Sequence, residues 1–275
     1  MKGIAKNEAQ LSLAGQEHRK FLVKRRSVRR QVLLTQLALL MGFLGLWEWA
    51  GRAGWIDILL FSYPSKILLL LGEMLRDGSL YPHIGITVTE TVIGFILGTL
   101  LGTAVAVVLW WSPFVEKVLD PYMVVLNSMP KVALGPLFIV GLGPGMLSII
   151  GTTLAVTVII TTLVVFASFK EVDPNYSKVI LLFGGSRQQM FRRVILPATY
   201  PAIVSTLKVN VGLAWIGVIV GEFLVSQKGL GYLIVYGFQV FNFTLVIGSL
   251  FLIAIVATVM YKLVSWAEKW MMRRS

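Results

Sequence analysis

Apolar residues in this chain come in long, nearly uninterrupted runs, without the alternation of a strand or the one-sided stripe of a surface helix. Runs at 32–50, 84–111, 146–169, 203–225 and 243–266 carry very few charges. Each is long enough to cross roughly 30 Å of bilayer hydrocarbon as a helix. A further run, 121–142, is interrupted at Asn127-Ser128-Met129-Pro130-Lys131, which predicts a broken span. Proline removes a backbone donor and disfavours helix in the residue before it. Residues 65–76 predict a short amphipathic helix at the membrane surface. The pattern therefore predicts an all-α, polytopic membrane protein with six transmembrane helices over 32–269. A polar tail, 1–31, precedes this domain and a short tail, 270–275, follows it.

Composition supports a lipid solvent. Hydrophobic residues make up 56% of the 275-residue chain and charged residues only 14%, against about 25% charged in soluble domains. Cysteine is absent, so there is no disulfide or thiolate metal site. The two histidines, His18 and His83, lie far apart without carboxylates at metal-ligand spacing and read as surface residues, so neither metal nor cofactor is predicted.

A net charge of +12 would suggest nucleic acid in a soluble protein. Here the placement of the charge argues for topology and against a nucleic-acid partner. With the N-terminus inside, interior segments hold nineteen Lys and Arg and exterior segments four, with Lys131 and Lys208 inside spans. Cytoplasmic loops carry such an excess, so both termini are predicted to be cytoplasmic, in the plasma membrane of a prokaryote. The first apolar run has no small-residue cleavage site after it and reads as a retained span.

The loop at 170–200 is the most informative segment. Tyr176 to Phe183 has helical apolar spacing, Gly184 and Gly185 permit a sharp turn, and Ser186 suits a helix N-cap. Met190, Phe191, Val194 and Ile195 then form a stripe, with Arg187 and Arg192 off it. Pro197 is expected to stop that helix, and Pro201 to sit in the first turn of the next. By its residues alone the segment could lie on anionic lipid headgroups.

Gly184, nine residues, then Val194-x-Leu196-Pro197 resembles the loop shared by ABC importer permeases. The resemblance implies that Gly184, Gly185, Ser186, Arg187, Met190, Phe191, Val194, Leu196 and Pro197 couple the chain to a cytoplasmic ATPase, with Met190 entering its groove. That family places Glu-Ala-Ala six to four residues before the glycine, where this chain has Lys178, Val179 and Ile180. The glycine and the residues after it are intact, so the resemblance implies that docking is kept.

Over roughly residues 60–265 the chain resembles permeases of the nitrate, sulfonate and taurine importer group. The carrying residues are Pro130-Lys131-Val132-Ala133-Leu134-Gly135-Pro136-Leu137-Phe138-Ile139, Gly221-Glu222 and Gly229-Leu230-Gly231-Tyr232. The resemblance implies a type I permease fold, an extracellular solute-binding protein, separate ATPase subunits and a second copy of the chain around the solute route. Nitrate, an alkanesulfonate, taurine or a small heterocyclic vitamin precursor all suit such a route.

Lys131, about ten residues into its span, suits either an anionic solute or the carbonyls freed at Pro130. Glu90 and Glu222 near span ends favour structural pairing, with Glu222 a pathway candidate alongside Trp215. Gly94, Gly98 and Gly102 recur every four residues and invite close helix packing. The phosphate cradle Gly-x-x-x-x-Gly-Lys-Ser/Thr does not occur, so the chain is not predicted to hydrolyse ATP. An ion-gradient-driven secondary transporter is the main rival, but it calls for repeated halves with matching interruptions. A membrane enzyme would need converging acid, base or metal ligands.

Overall fold

The structure, a computed structural model, describes the backbone of residues 2–273 and the side chains of Arg25 and residues 27–273. It divides into two compact units, 1–66 and 67–275. His18 lies outside the described side chains.

In the first unit α1 (Lys2–Arg52) runs unbroken from the polar tail through the first apolar run, followed by the single turn α2 (Ile58–Phe61). Asp57 caps α2 by accepting from the Leu59 N–H. Glu48 pairs with Arg52 at 2.6 Å and accepts from the Ser65 N–H and hydroxyl at 2.9 and 2.7 Å. One carboxylate thus anchors the chain where it leaves the helix.

The second unit contains α3 (Pro64–Arg76, from residue 67), α4 (Leu80–Trp111), α5 (Pro113–Ser128), a 3-10 turn (Lys131–Leu134), α6 (Gly135–Leu142) and α7 (Met146–Glu171). Then come α8 (Pro174–Leu182), α9 (Arg187–Met190), a π-helical turn (Phe191–Ile195), α10 (Leu196–Val225), α11 (Leu230–Gln239) and α12 (Phe243–Met272). Five helical stretches among the described residues are long and apolar enough to cross a membrane: Ser27–Arg52, Leu80–Trp111, Met146–Glu171, Arg187–Val225 and Phe243–Met272. Pro113–Ser128 and Lys131–Leu142 make a sixth if taken together, but they meet at 97°.

The break expected at Pro130 is therefore an elbow, sharper than a kinked span. Met129 ahead of the proline is extended (φ −70°, ψ 143°), as the clash with a proline ring requires. Lys131 Nζ donates to the Asn127 carbonyl at 2.8 Å, covering an acceptor that the break leaves exposed. The surface helix is present as α3, and Leu71 and Ile67 of it pack on Gly248 of α12. The short apolar helix α11 was not foreseen.

The core is a sandwich of α4, α7 and α10, with α7 in the middle. A Cβ placed on Gly94, Gly98 or Gly102 of α4 would strike Thr153, Thr157 or Thr161 of α7, in register at every fourth residue. Gly217 and Gly221 of α10 press likewise on the Cα atoms of Thr153 and Ile149 on the other side. The stripe of small residues thus has its expected packing role, because bare backbone lets helix axes approach. The three threonines return their hydroxyls to carbonyls one turn earlier, at 2.8, 2.8 and 2.6 Å. Asn210 ties the layers together: its Nδ2 donates to Thr99 at 2.8 Å and its Oδ1 accepts from Thr161 at 3.0 Å. A polar group fully inside an apolar bundle must be satisfied internally, and this one joins three helices. On the outside of α10, Lys208 pairs with the buried Glu268 of α12 at 2.7 Å.

Candidate functional site

Two sites stand at opposite ends of this bundle. The first is the corner between α8 and α9. Helix α8 starts at Asp173, whose carboxylate accepts from the Asn175 N–H. It ends in a Schellman turn: Gly185 N–H bonds the Ile180 carbonyl at 2.8 Å and Gly184 N–H the Leu181 carbonyl at 3.0 Å. Gly184 has φ +74°, the left-handed conformation that this turn requires and side chains disfavour. Gly185 lies so close to Ile180 that a Cβ there would meet its carbonyl. Ser186 and Gln189 then exchange a reciprocal capping box at 3.2 and 2.7 Å, as the cap expected at Ser186 requires. Two end-to-end caps make a stiff corner from a segment with no core of its own.

The apolar stripe after the corner faces inward. Met190, Phe191, Val194 and the buried Ile195 pack on Ala106 of α4 and on Val165 and Phe169 of α7. Phe191 meets the rings of Trp110, Trp111 and Phe169. Met190 thus packs in part on its own bundle and remains half-exposed. Arg187 donates to the Trp110 carbonyl at 2.9 Å and lies over the Trp110 ring, clamping the corner to the end of α4.

The helix does not stop at Pro197. It passes through the π-helical turn into α10 without a gap, and Pro201 is also internal. Proline lacks the N–H that would meet the Arg193 carbonyl and its ring would crowd that oxygen. The wider turn, in which Leu196 N–H reaches the Phe191 carbonyl, relieves this crowding and keeps the helix intact. Leu196, partly exposed, and Pro197 mark this junction.

What projects outward instead is the end of α8. Leu182 and Phe183 are 85% and 88% exposed, and Tyr176, Val179 and Leu181 are exposed beside them. Sequence reasoning missed these residues, although two apolar side chains directly before Gly184-Gly185 were a signal.

The second site gathers the two short motifs Gly221-Glu222 and Gly229-Leu230-Gly231-Tyr232. Glu222 is 1% exposed and accepts from the Thr87 hydroxyl and the Gly231 N–H, each at 2.6 Å. A Cβ on either Gly229 (φ +121°) or Gly231 would collide with its carboxylate. The glycines let the chain wrap around that group. Leu230 N–H donates to Thr87 Oγ1 at 2.8 Å and Gly229 N–H to His83 Nδ1 at 3.0 Å. His83, stacked on Tyr232, is half-buried and part of this knot, which corrects its reading as a surface residue. Among the pathway candidates, Lys131 and Glu222 thus have internal partners, and Trp215 is buried against Val211 and Met260. Beside Glu222 lies Glu90, within reach of a hydrogen bond to it. No group of three metal-ligating side chains occurs among the described residues.

A stack of apolar helices with an apolar corner at one end and a buried polar knot at the other is the architecture of a multi-pass membrane protein. The chain belongs to the family described as binding-protein-dependent transport system inner membrane component, which matches residues 94–275. It is 29% identical over 216 residues to a putative aliphatic sulfonates transport permease protein of Bacillus subtilis, covering 78% of this chain and 77% of that one. Over 188 residues it is 29% identical to the formylaminopyrimidine transport permease protein of Halalkalibacterium halodurans, covering 68% and 74%. In fold it is similar to a bacterial ABC transporter involved in alginate import, with TM-score 0.63, 15% identity and coverage of 90% and 96%. The chain is accordingly the permease subunit of an ATP-driven ABC importer of type I fold. ATP hydrolysis resides in a separate subunit, and a solute-binding protein is a further partner.

Proposed function

We propose that the ATPase subunit docks on the outward end of α8 and the corner that follows, residues 174–186. Gly184, Gly185 and Ser186 set the aim of that surface. Arg187, Met190, Phe191 and Val194 bolt it to α4 and α7, and Leu196 and Pro197 join it to α10. The observation that carries this reading is the exposure of Leu182 and Phe183 on a doubly capped corner. Rigid apolar surface held away from the bundle is what a protein partner covers. ATP-driven motion of the docked subunit would reach all three core helices through these contacts.

Gly184→Val tests the reading. Its Cβ meets no neighbour, so the effect is confined to backbone strain of about 1–3 kcal/mol. The bundle inserts and accumulates normally, while co-purification with the ATPase falls roughly five- to 150-fold, as that energy range implies. Full retention of ATPase and uptake would leave the segment as a helix lying on lipid headgroups.

The chain would act as one half of a symmetric dimer of itself, with the solute route at the axis and lipid against the exposed Leu, Val and Phe of its outer faces. Its solute would be a small molecule of the kind named for the relatives, a sulfonate or an aminopyrimidine. The nineteen-to-four distribution of Lys and Arg supports placing the corner and both termini in the cytoplasm. Single cysteines at the exposed positions Ser79 and Gln227 should then react with an impermeant thiol reagent in intact cells, and one at Lys178 should react only after lysis. Labelling of Lys178→Cys in sealed cells would reverse the orientation.

A further inference from the structure

A cavity of about 470 Å³ opens beside the polar knot, lined by Ile86 and Glu90 of α4, the Pro144–Gly145 turn, Met146 and Ile149 of α7, and residues 225–228 after α10. Glu90 is 3% exposed, and its Oε2 has no hydrogen-bond partner. Its neighbour Glu222 already takes donors from Thr87 and Gly231. Two acidic side chains thus lie together inside a membrane bundle. Among the described residues neither is ion-paired with a Lys or Arg: the cationic side chains that make ion pairs are Arg52, Lys170 and Lys208, with other partners. Lys228 lines the cavity but is exposed at its outer edge. Glu222 can meet one oxygen of Glu90, but Oε2 is left as a buried acceptor without a partner, which is costly, and ionisable groups inside a membrane bundle mark solute pathways.

We propose that this cavity is a solute subsite, and that Glu90 receives a hydrogen-bond-donating nitrogen of the solute: an ammonium, an amidinium or the amino group of a heterocycle. This rests on the permease reading above and narrows its solute class. The walls are of opposite polarity. Glu90 is the buried acid of the lining, whereas Lys228 is exposed. Ile86, Met146 and Ile149 supply apolar walls suited to a small organic skeleton. Nitrate and simple alkanesulfonates bring only acceptors and would leave Glu90 Oε2 without a donor.

The purified permease–ATPase complex in lipid nanodiscs can be followed by its Tm with 4-aminopyrimidine, methylammonium, nitrate or ethanesulfonate at equal ionic strength. The two nitrogen donors should raise Tm in the natural chain. Glu90→Gln, which keeps the shape and removes the charge, should weaken that affinity about tenfold or more, the effect of one charge-assisted hydrogen bond. Met146→Trp, a substitution at the exposed rim that narrows the cavity, should abolish the shift while leaving the carboxyls in place. A shift with nitrate or ethanesulfonate alone, a shift unchanged by Glu90→Gln, or no shift with any probe would overturn the subsite. Failure of the docking reading shows separately, as loss of the ATPase from the unliganded complex, which neither substitution should cause.

Discussion

Replacing Leu182 and Phe183 together by aspartate is expected to abolish ATPase co-purification and solute uptake while leaving a folded, inserted permease. Both side chains are almost fully exposed at the end of α8, so the bundle loses no packing when they change. Surface substitutions away from special features usually alter stability by about 0.5 kcal/mol or less. In a docked complex the same positions would be covered. Each change removes about 1.5–3 kcal/mol of apolar burial and forces a carboxylate into a desolvated contact without a partner. The two penalties together exceed 4 kcal/mol, about a thousandfold in affinity. The measurement is the ATPase recovered per permease from detergent extracts, beside the Tm of the permease alone. Normal recovery would move the docking surface off α8. A collapsed Tm would mean that these side chains serve the fold and not a partner.

Gly98→Leu is expected to act in the opposite way, on the bundle itself. A Cβ there would overlap Thr157 of α7, and the flanking Gly94 and Gly102 hold the same close approach on either side. The neighbour cannot swing away, because Thr157 is buried and its hydroxyl is fixed on the Thr153 carbonyl at 2.8 Å. Helices α4 and α7 must therefore separate along several turns. That opens the contacts around Asn210, whose partners Thr99 and Thr161 belong to those same two helices. Overpacking a tight core costs about 1–3 kcal/mol and occasionally more, and a loosened Asn210 adds an unsatisfied polar group. The expected result is a permease that still inserts, since apolar length governs insertion, but with a much lowered Tm and reduced abundance. Gly98→Ala should lie between it and the natural chain. A Tm unchanged in Gly98→Leu would show that the two helices are not held by this contact.

The contrast between these substitutions shows where sequence reasoning stops. The spans were legible because bilayer thickness sets how many apolar residues a helix needs, and that quantity is written along one dimension. The break at Pro130, the cap at Ser186, the turn at Gly184-Gly185 and the packing of Gly94, Gly98 and Gly102 were legible for a similar reason. Each depends on the backbone preferences of a few adjacent residues. The apolar stripe Met190-Phe191-Val194-Ile195 was legible as a stripe, but not in its direction. An apolar face suits a partner's groove and the chain's own helices equally well, and only the tertiary structure shows that Ala106, Val165 and Phe169 lie against it. Pro197 likewise reads locally as a helix stop, whereas packing on both sides of it favours a π-helical turn that carries the helix through. Glu222 and Gly229-x-Gly231 look like two unrelated fragments in the sequence. Tertiary folding makes them one object, because the glycines are there to leave room for a carboxylate seven and nine residues earlier. The sequence by itself thus determined an all-α polytopic membrane protein and its local turns, since these follow from length, charge and backbone chemistry, while its motifs carried the resemblance to importer permeases. Only the tertiary structure decided which apolar side chains face out at the corner and which acid, Glu90, keeps a buried oxygen, Oε2, without a partner. Those are properties of neighbours in space, which distant parts of the chain supply.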